Sequence, residues 1–153
     1  MQQAIAKAVP RTINELVVHS AATRVSWMSG DGLAAQVAEI RRWHVEDNKW
    51  SDIGYHFIIG RSGEIMLGRP LRRSGAHVKG HNKTTIGICL IGGHGSAETD
   101  TFGEHYTKEQ DAALRSLLGA LGNIYPIAKI SGHNEYAAKA CPGFNVTKWL
   151  NAA

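Results

Sequence analysis

The feature that most constrains this fold is a set of short apolar runs rich in β-branched residues. They are LVVHSA (16–21), TIGICLIG (85–92) and IAKISGH (127–133). Continuous apolar runs of this length, bounded by turn residues, are typical of buried strands. Two further runs, YHFIIG (55–60) and EIMLGR (64–69), flank Arg61-Ser62-Gly63. A three-residue connection that contains glycine predicts an antiparallel hairpin.

Helical patterns alternate with these strands. Between 32 and 46, Leu33, Val37, Ile40 and His44 recur at helical spacing, so His44 is expected in the core rather than as a ligand. The segment Thr107-Lys-Glu-Gln110 has the pattern of a capping box, so a helix that buries a leucine stripe is expected to begin there. A short helix is expected near the C-terminus. The mixture of elements predicts the α/β class: a single domain with a central mixed β-sheet flanked by helices.

Length and composition agree with one globular domain. The chain has 153 residues, of which 43% are apolar and 20% are charged, and this balance excludes a disordered or collagen-like chain. No apolar run approaches the ~18 residues of a membrane span. Lys7, Pro10 and Arg11 interrupt the region where a signal peptide would need an apolar stretch. We expect a flexible basic arm over 1–12, a folded domain over 13–151, synthesis in the cytoplasm and a monomeric state.

The charge is mildly positive. Seventeen Lys and Arg against thirteen Asp and Glu leave a net charge of +4. This excess favours anionic partners such as a wall polymer, lipopolysaccharide or nucleic acid. The basic residues are scattered and no nucleic-acid motif accompanies them, so dedicated nucleic-acid binding is not expected.

Several common catalytic signatures are absent, which leaves His19, His133 and Cys141 as the candidates for chemistry. The sequence has no dinucleotide-binding or phosphate-binding glycine motif, no HExxH and no GxSxG. The three candidates lie at or just beyond the ends of predicted strands. Two imidazoles and a thiolate form a sound zinc site that leaves a fourth position for water. The alternative from the residues alone is a pair of buried structural histidines and a loop thiol.

Four sequence blocks carry a resemblance to a known family. They are VVHSAAT, DIGYHFIIGRSGEI, GAHVKGHNKTTIGICLIGG and GHNEYAAKACPGF. Together they resemble the zinc-dependent N-acetylmuramoyl-L-alanine amidases of type 2, which are related to peptidoglycan recognition proteins. Within that family the sequence is most similar to small bacteriophage endolysins. The resemblance runs from about residue 13 to residue 151, with the blocks in the family's order.

The resemblance implies a ligand set and two catalytic residues. It implies one Zn²⁺ held by His19, His133 and Cys141, with Tyr55 and Lys139 as catalytic residues. Attack on an amide carbonyl builds negative charge on its oxygen, and a nearby hydroxyl or cation stabilises that charge. Without the family, Tyr55 would be interpreted as a strand aromatic and Lys139 as a loop cation. The general base stays open between Tyr55, acting through a bound water, and His77.

The same resemblance implies a substrate cleft. His77 corresponds to a position that lines the cleft, and we expect it to contact substrate. Lys79, Asn82 and Thr85 belong to the same stretch and are candidate contacts to the glycan or to the carboxylates of the peptide. The alternative for each is a surface loop residue without a functional role.

The implied function is that of an endolysin. It would cleave the bond between N-acetylmuramic acid and L-alanine of the stem peptide, for lysis of a host cell with diaminopimelate-type peptidoglycan. Such an enzyme would reach the wall after a separate protein permeabilises the membrane. A second role, inhibition of a phage RNA polymerase, is compatible with the basic arm. The alternative is a protein that binds peptidoglycan without cutting it.

Overall fold

Five strands form one mixed sheet in the computed structural model, which describes residues 10–152. The strands are β1 (Glu15–Ser20), β2 (Phe57–Ile59), β3 (Ile65–Leu67), β4 (Thr85–Leu90) and β5 (Lys129–Gly132). Their order across the sheet is β3-β2-β4-β1-β5. Only β3 runs antiparallel, and it pairs with β2 as the predicted hairpin. The predicted α/β class with a central mixed sheet is confirmed.

Helices cover both faces of the sheet and supply the connections. They are α1 (Leu33–Arg42), α2 (Phe102–His105), α3 (Lys108–Ile124) and α4 (Val146–Asn151). The predicted capping box is present, since Thr107 accepts a hydrogen bond from the Gln110 N–H and the Gln110 side chain accepts one from the Thr107 N–H. The helix expected over 32–46 is α-helical only to Arg42 and continues as a π-helical turn over Trp43–Asp47.

The two faces of the sheet bury separate apolar clusters. Because side chains alternate along a strand, neighbouring residues of one strand join different clusters. Leu16, Val18 and Ile88 face α3 and α4, where they meet the leucine stripe of α3. Ile58 and Cys89 face α1. His19 is in register with Cys89, so it also lies on the face toward α1.

Arg11 belongs to the arm expected over 1–12, and its side chain contacts the folded domain. Residues 1–9 lie outside the described residues, so the expectation for them stays a prediction. Arg11, in contrast, is held by the domain. Its guanidinium donates to the carbonyl oxygens of Leu71 at 2.8 Å and Thr85 at 2.9 Å. A cation that satisfies strand-end and loop carbonyls in this way is fixed in place, and the boundary of the arm at residue 12 stays a prediction.

In the described part of the chain, no helix combines the length and the apolar character that crossing a membrane requires. Cys89 and Cys141 are both free, and Cys89 is fully buried.

Candidate metal centre

Two histidines meet at the carboxyl-terminal edge of the parallel strands. His19 lies near the end of β1, and His133 is the first residue after β5. The register pairs Val18 with Gly132, so the next residue of each chain segment is brought side by side. The two imidazole centroids are 4.7 Å apart. Ligands commonly bind at this edge of a parallel sheet.

Cys141 completes the group from the loop before α4. Its Sγ accepts a hydrogen bond from the Ser20 N–H at 3.2 Å and lies 3.8 Å from Nδ1 of His19. The Asn134 amide holds this loop by donating to the carbonyl oxygens of Ala140 and Phe144. The ligand atoms of His19, His133 and Cys141 all lie within 4.8 Å of one another.

This donor set fits zinc. Tetrahedral bonds of about 2.0–2.1 Å to nitrogen and 2.3 Å to sulfur place a nitrogen and a sulfur ligand roughly 3.5 Å apart. The 3.8 Å between His19 Nδ1 and Cys141 Sγ is close to that separation. Two imidazoles and one thiolate are also the borderline-soft ligands that zinc prefers, and three ligands leave a position for water.

The surroundings of His19 and His133 favour the neutral imidazole, the form that binds a metal. His19 is 1% exposed, and burial lowers its pKa well below the ordinary value, with nearby His77, His133 and Lys139 adding to the effect. Burial also lowers the pKa of His133. Both rings are therefore neutral near pH 7, as ligation requires. Burial raises the pKa of the Cys141 thiol, while hydrogen bonds from Ser20 and the charge of Lys139 oppose that rise.

Tyr55 lies beside the histidine pair, two residues before β2 rather than inside it. Its ring centroid is 5.2 Å from that of His19. Burial raises the pKa of Tyr55 well above its ordinary value, and the neighbouring Cys89 and Cys141 raise it further. The phenol therefore keeps its proton at neutral pH and serves as a hydrogen-bond donor.

Lys139 is exposed in the loop that carries Cys141. Its positive charge lowers the pKa of His19, His133 and Cys141, which places the cation within electrostatic reach of all three. The structure therefore brings together His19, Tyr55, His133 and Cys141. It places Lys139, the fifth expected residue, in the loop that carries Cys141.

The residues expected to contact substrate separate into two groups. Lys79 is exposed, and its role stays a prediction. His77 is 8% exposed and Thr85 is 0% exposed, so neither presents a surface to a polymer. The Asn82 side-chain oxygen accepts hydrogen bonds from the N–H groups of His77 and Val78, so it shapes its own loop. His77 and Thr85 thus point into the protein, because their polar side-chain atoms are satisfied internally. Asn82 is half-buried, and its role as a substrate contact stays a prediction.

His77 lies directly behind His19. Its Nδ1 is 2.8 Å from Nε2 of His19. Burial lowers the pKa of His77 to about 3, so the ring is neutral at pH 7. Both ring nitrogens of His77 contact side chains, those of His19 and Thr85, so this position argues against His77 as the general base.

Sequence reasoning missed the placement of His44, which was expected in the core. The π-helical turn carries it to the site, where its ring lies 5.5 Å from Tyr55 and 4.6 Å from Trp50. The Gly54 N–H donates to its Nδ1 at 2.9 Å. Helical spacing alone puts His44 on the buried stripe of α1. The sequence does not reveal that the π-helical turn over Trp43–Asp47 has one residue more than an α-helical turn.

Known proteins resemble this chain over most of its length. The family model described as N-acetylmuramoyl-L-alanine amidase matches residues 9–144. An endolysin of Enterobacteria phage K11 is 40% identical over 140 residues, which are 90% of this chain and 85% of the relative.

Solved structures agree with the sequence match. The amidase LysC of Clostridium intestinale superposes with a TM-score of 0.73 at 26% identity, over 93% of this chain and 85% of that one. The bumblebee PGRP-SA also has a TM-score of 0.73 and 26% identity, with 91% and 80% covered. With these matches and the geometry of its strand ends, the chain belongs to the N-acetylmuramoyl-L-alanine amidase family.

Proposed function

We propose that this protein is a zinc-dependent endolysin that hydrolyses the amide between N-acetylmuramic acid and the L-alanine of the peptidoglycan stem peptide. The observation that carries the proposal is the convergence of His19, His133 and Cys141 at one edge of the sheet. Family membership and the phage endolysin at 40% identity support the reaction and the substrate. The relationship to an endolysin also supports a role in lysis of the host cell.

Zinc would be held by His19, His133 and Cys141, and when bound it lowers the pKa of a water and polarises a carbonyl oxygen. The remaining residues act on the substrate. Tyr55 is a half-buried, protonated phenol, so it donates a hydrogen bond to the carbonyl oxygen on which negative charge develops. It does not serve as the base, because a phenol with a raised pKa holds its proton.

Lys139 supplies the positive charge. It is exposed beside the ligand loop, and its side chain is free to approach substrate. A cation placed near a developing oxyanion stabilises the transition state more than the neutral ground state. Its second effect is on the site itself, since its charge favours the thiolate form of Cys141.

The test is mass spectrometry of the products released from purified diaminopimelate-type sacculi, with and without a zinc chelator. We expect free peptides that begin at L-alanine, lost on chelation and restored by zinc. Cys141→Ser should lower zinc affinity and peptide release together, because a hydroxyl replaces a thiolate ligand. Lys139→Ala should keep zinc bound and lower turnover by about 10²-fold, the cost of one oxyanion stabiliser.

Two outcomes would contradict the proposal. Full activity in protein shown to be free of metal would reject the zinc mechanism. Muropeptide binding without cleavage by the zinc-loaded protein would favour the alternative, a peptidoglycan-binding protein. Lys148→Ala is a matched control, because Lys148 is an exposed lysine on α4 outside the candidate site.

The expected role as an RNA polymerase inhibitor stays a prediction. It was based on the basic residues Lys7 and Arg11. Lys7 lies outside the described residues, and the Arg11 guanidinium is engaged by carbonyl groups of its own chain. A pull-down with the cognate polymerase tests this role independently of peptidoglycan cleavage.

A further inference from the structure

We infer that His77 and Thr85 are positioning residues that fix the tautomer of His19, so that its Nδ1 faces the metal. The inference deepens the proposed function, since it concerns the same zinc site. It rests on a chain of hydrogen bonds that starts at a backbone carbonyl and ends at the ligand atom. Outer partners of this kind orient metal-binding histidines in many proteins.

The direction of the chain is set at the His81 carbonyl. The Thr85 hydroxyl lies 2.7 Å from that oxygen, and a carbonyl only accepts, so the single hydroxyl proton of Thr85 is donated there. The Thr85 oxygen also lies 3.1 Å from Nε2 of His77. With its proton already used, Thr85 accepts in this second contact, and His77 therefore carries its proton on Nε2.

The next link follows from the chemistry of a neutral imidazole, which has one donor nitrogen and one acceptor nitrogen. Because His77 donates from Nε2, its Nδ1 is an acceptor. That Nδ1 lies 2.8 Å from Nε2 of His19, so His19 donates from Nε2. The Nδ1 of His19 then has a free lone pair, and this is the atom that lies 3.8 Å from the Cys141 sulfur.

A slot lined by glycines holds the His77 ring in this position. Thr85, Gly87 and Cys89 alternate along β4 and face the same side of the sheet as His19. A Cβ at Gly87 would lie 2.6 Å from Cγ of His77, and one at Gly75 would lie 2.6 Å from its Cδ2. Both distances are far inside van der Waals contact, so the ring occupies space that any other residue at these positions would fill.

The loop before β4 closes around His77 from the other side. Asn82 accepts from the N–H of His77 and from that of Val78 at 3.0 and 2.9 Å. The hydrogen bond from Thr85 to the His81 carbonyl joins the same loop to the strand. The His77 ring is therefore fixed by hydrogen bonds to the His77 backbone N–H and to the ring itself, and by close packing against Gly75 and Gly87. A ring fixed in this way can orient His19.

The first measurement uses the metal-free wild-type protein. Long-range ¹H–¹⁵N NMR of the imidazole rings reports which nitrogen of each histidine carries the proton. We expect His19 and His77 both to be protonated on Nε2 at pH 7. His19 protonated on Nδ1 in the metal-free protein would overturn the inference. This readout needs neither zinc nor substrate, so it is independent of whether the proposed amidase activity is found.

The second measurement compares variants of the hydroxyl. Thr85→Val removes the hydroxyl at nearly constant shape, whereas Thr85→Ser keeps it. We expect Thr85→Val to weaken zinc affinity, measured by competition with a chromophoric chelator, by about tenfold, as for a lost outer partner. Thr85→Ser should bind zinc like the wild type. Thr84→Val is the matched control, since Thr84 is the exposed neighbour.

Unchanged tautomers and unchanged zinc affinity in a folded Thr85→Val variant would overturn the inference. Should that variant fail to fold, Thr85→Ser and the wild-type spectrum still decide, because a hydroxyl that sets the tautomer must be replaceable by another hydroxyl. Loss of zinc affinity in Thr85→Ser with the wild-type tautomers retained would assign Thr85 to packing alone.

Discussion

At the scale of single residues, Tyr55 is the sharpest test of the proposed chemistry. Tyr55→Phe removes one hydroxyl and keeps the ring that packs 5.2 Å from His19. We expect kcat to fall by about 10²–10³-fold, the typical cost of a lost oxyanion donor. Zinc affinity should stay at the wild-type value, because the hydroxyl is not a ligand in the proposed site.

The pH dependence separates a donor from a base. Burial raises the pKa of Tyr55, so the hydroxyl stays protonated from pH 6 to pH 9. The wild type and Tyr55→Phe should therefore show pH–rate profiles of the same shape, offset by a constant factor. A limb in the wild-type profile that disappears in the variant would instead assign Tyr55 as the titrating base.

At the scale of elements, Gln110 joins the start of α3 to the sheet. It is 0% exposed, and its amide nitrogen donates to the carbonyl oxygens of Ile91 at 2.8 Å and Ile59 at 3.3 Å. Gln110→Ala leaves the Ile91 carbonyl and the Thr107 N–H without this partner, whereas the Ile59 carbonyl still accepts from the Ile91 N–H. We expect the free energy of unfolding to fall by about 2–4 kcal/mol, at ~1–3 kcal/mol for each buried group left unpaired.

Urea unfolding of the Gln110→Ala variant checks this expectation. Lys108→Ala is the matched control, because Lys108 lies in the same helical turn but is exposed. The control should unfold within ~0.5 kcal/mol of the wild type. Equal stability of the two variants would show that α3 docks on the sheet through its leucines alone.

At the scale of the whole molecule, buried histidines set the response to acid. Burial lowers the pKa of His44 and of His56 from 6.5 to about 4. Between these values the unfolded chain binds more protons than the folded protein, so the folded state loses stability as the pH falls from 6.5 to 4. Well above pH 6.5 the two rings are neutral in the folded and the unfolded state, so the free energy of unfolding no longer changes with pH on their account.

His56 offers a variant for this prediction. Its Nδ1 accepts from the Gly87 N–H and its Nε2 donates to the Arg73 carbonyl, so a neutral ring satisfies both groups. His56→Gln keeps an acceptor and a donor but does not titrate. Urea unfolding at pH 4.5 and pH 7, with a chelator present, should show a smaller loss of stability in the variant. An equal loss would exclude His56 as a source of the acid sensitivity.

Local patterns were sufficient to predict the architecture of this protein. The apolar runs at 16–21 and 85–92 became parallel neighbours β1 and β4, and the hairpin formed around Gly63. The Thr107 capping box marked the start of α3 correctly. These features were readable because strand burial, turn geometry and helix capping depend on residues close together in the chain.

Contacts between segments that are distant in the chain could not be predicted from these local patterns. His44 was assigned to the core, since helical spacing does not reveal a π-helical turn. His77 and Thr85 were expected at the substrate cleft, although their polar side-chain atoms bind within the protein. A short polar loop gives the same signal whether it faces solvent or closes over a buried ring.

The residue types along the chain decided which chemistry was available. Two histidines and a cysteine at or just beyond strand ends were compatible with a zinc site, because ligand preference belongs to the side chain itself. The family resemblance then favoured zinc over a pair of structural histidines and a loop thiol. Only the tertiary structure decided between a substrate contact and an orienting role for His77, the role that we infer for it. That choice depends on the contact of His77 with His19, 58 residues away, and on the Thr85 hydroxyl. It also depends on the absence of a side chain at Gly75 and Gly87. These groups come together only when the strands pair.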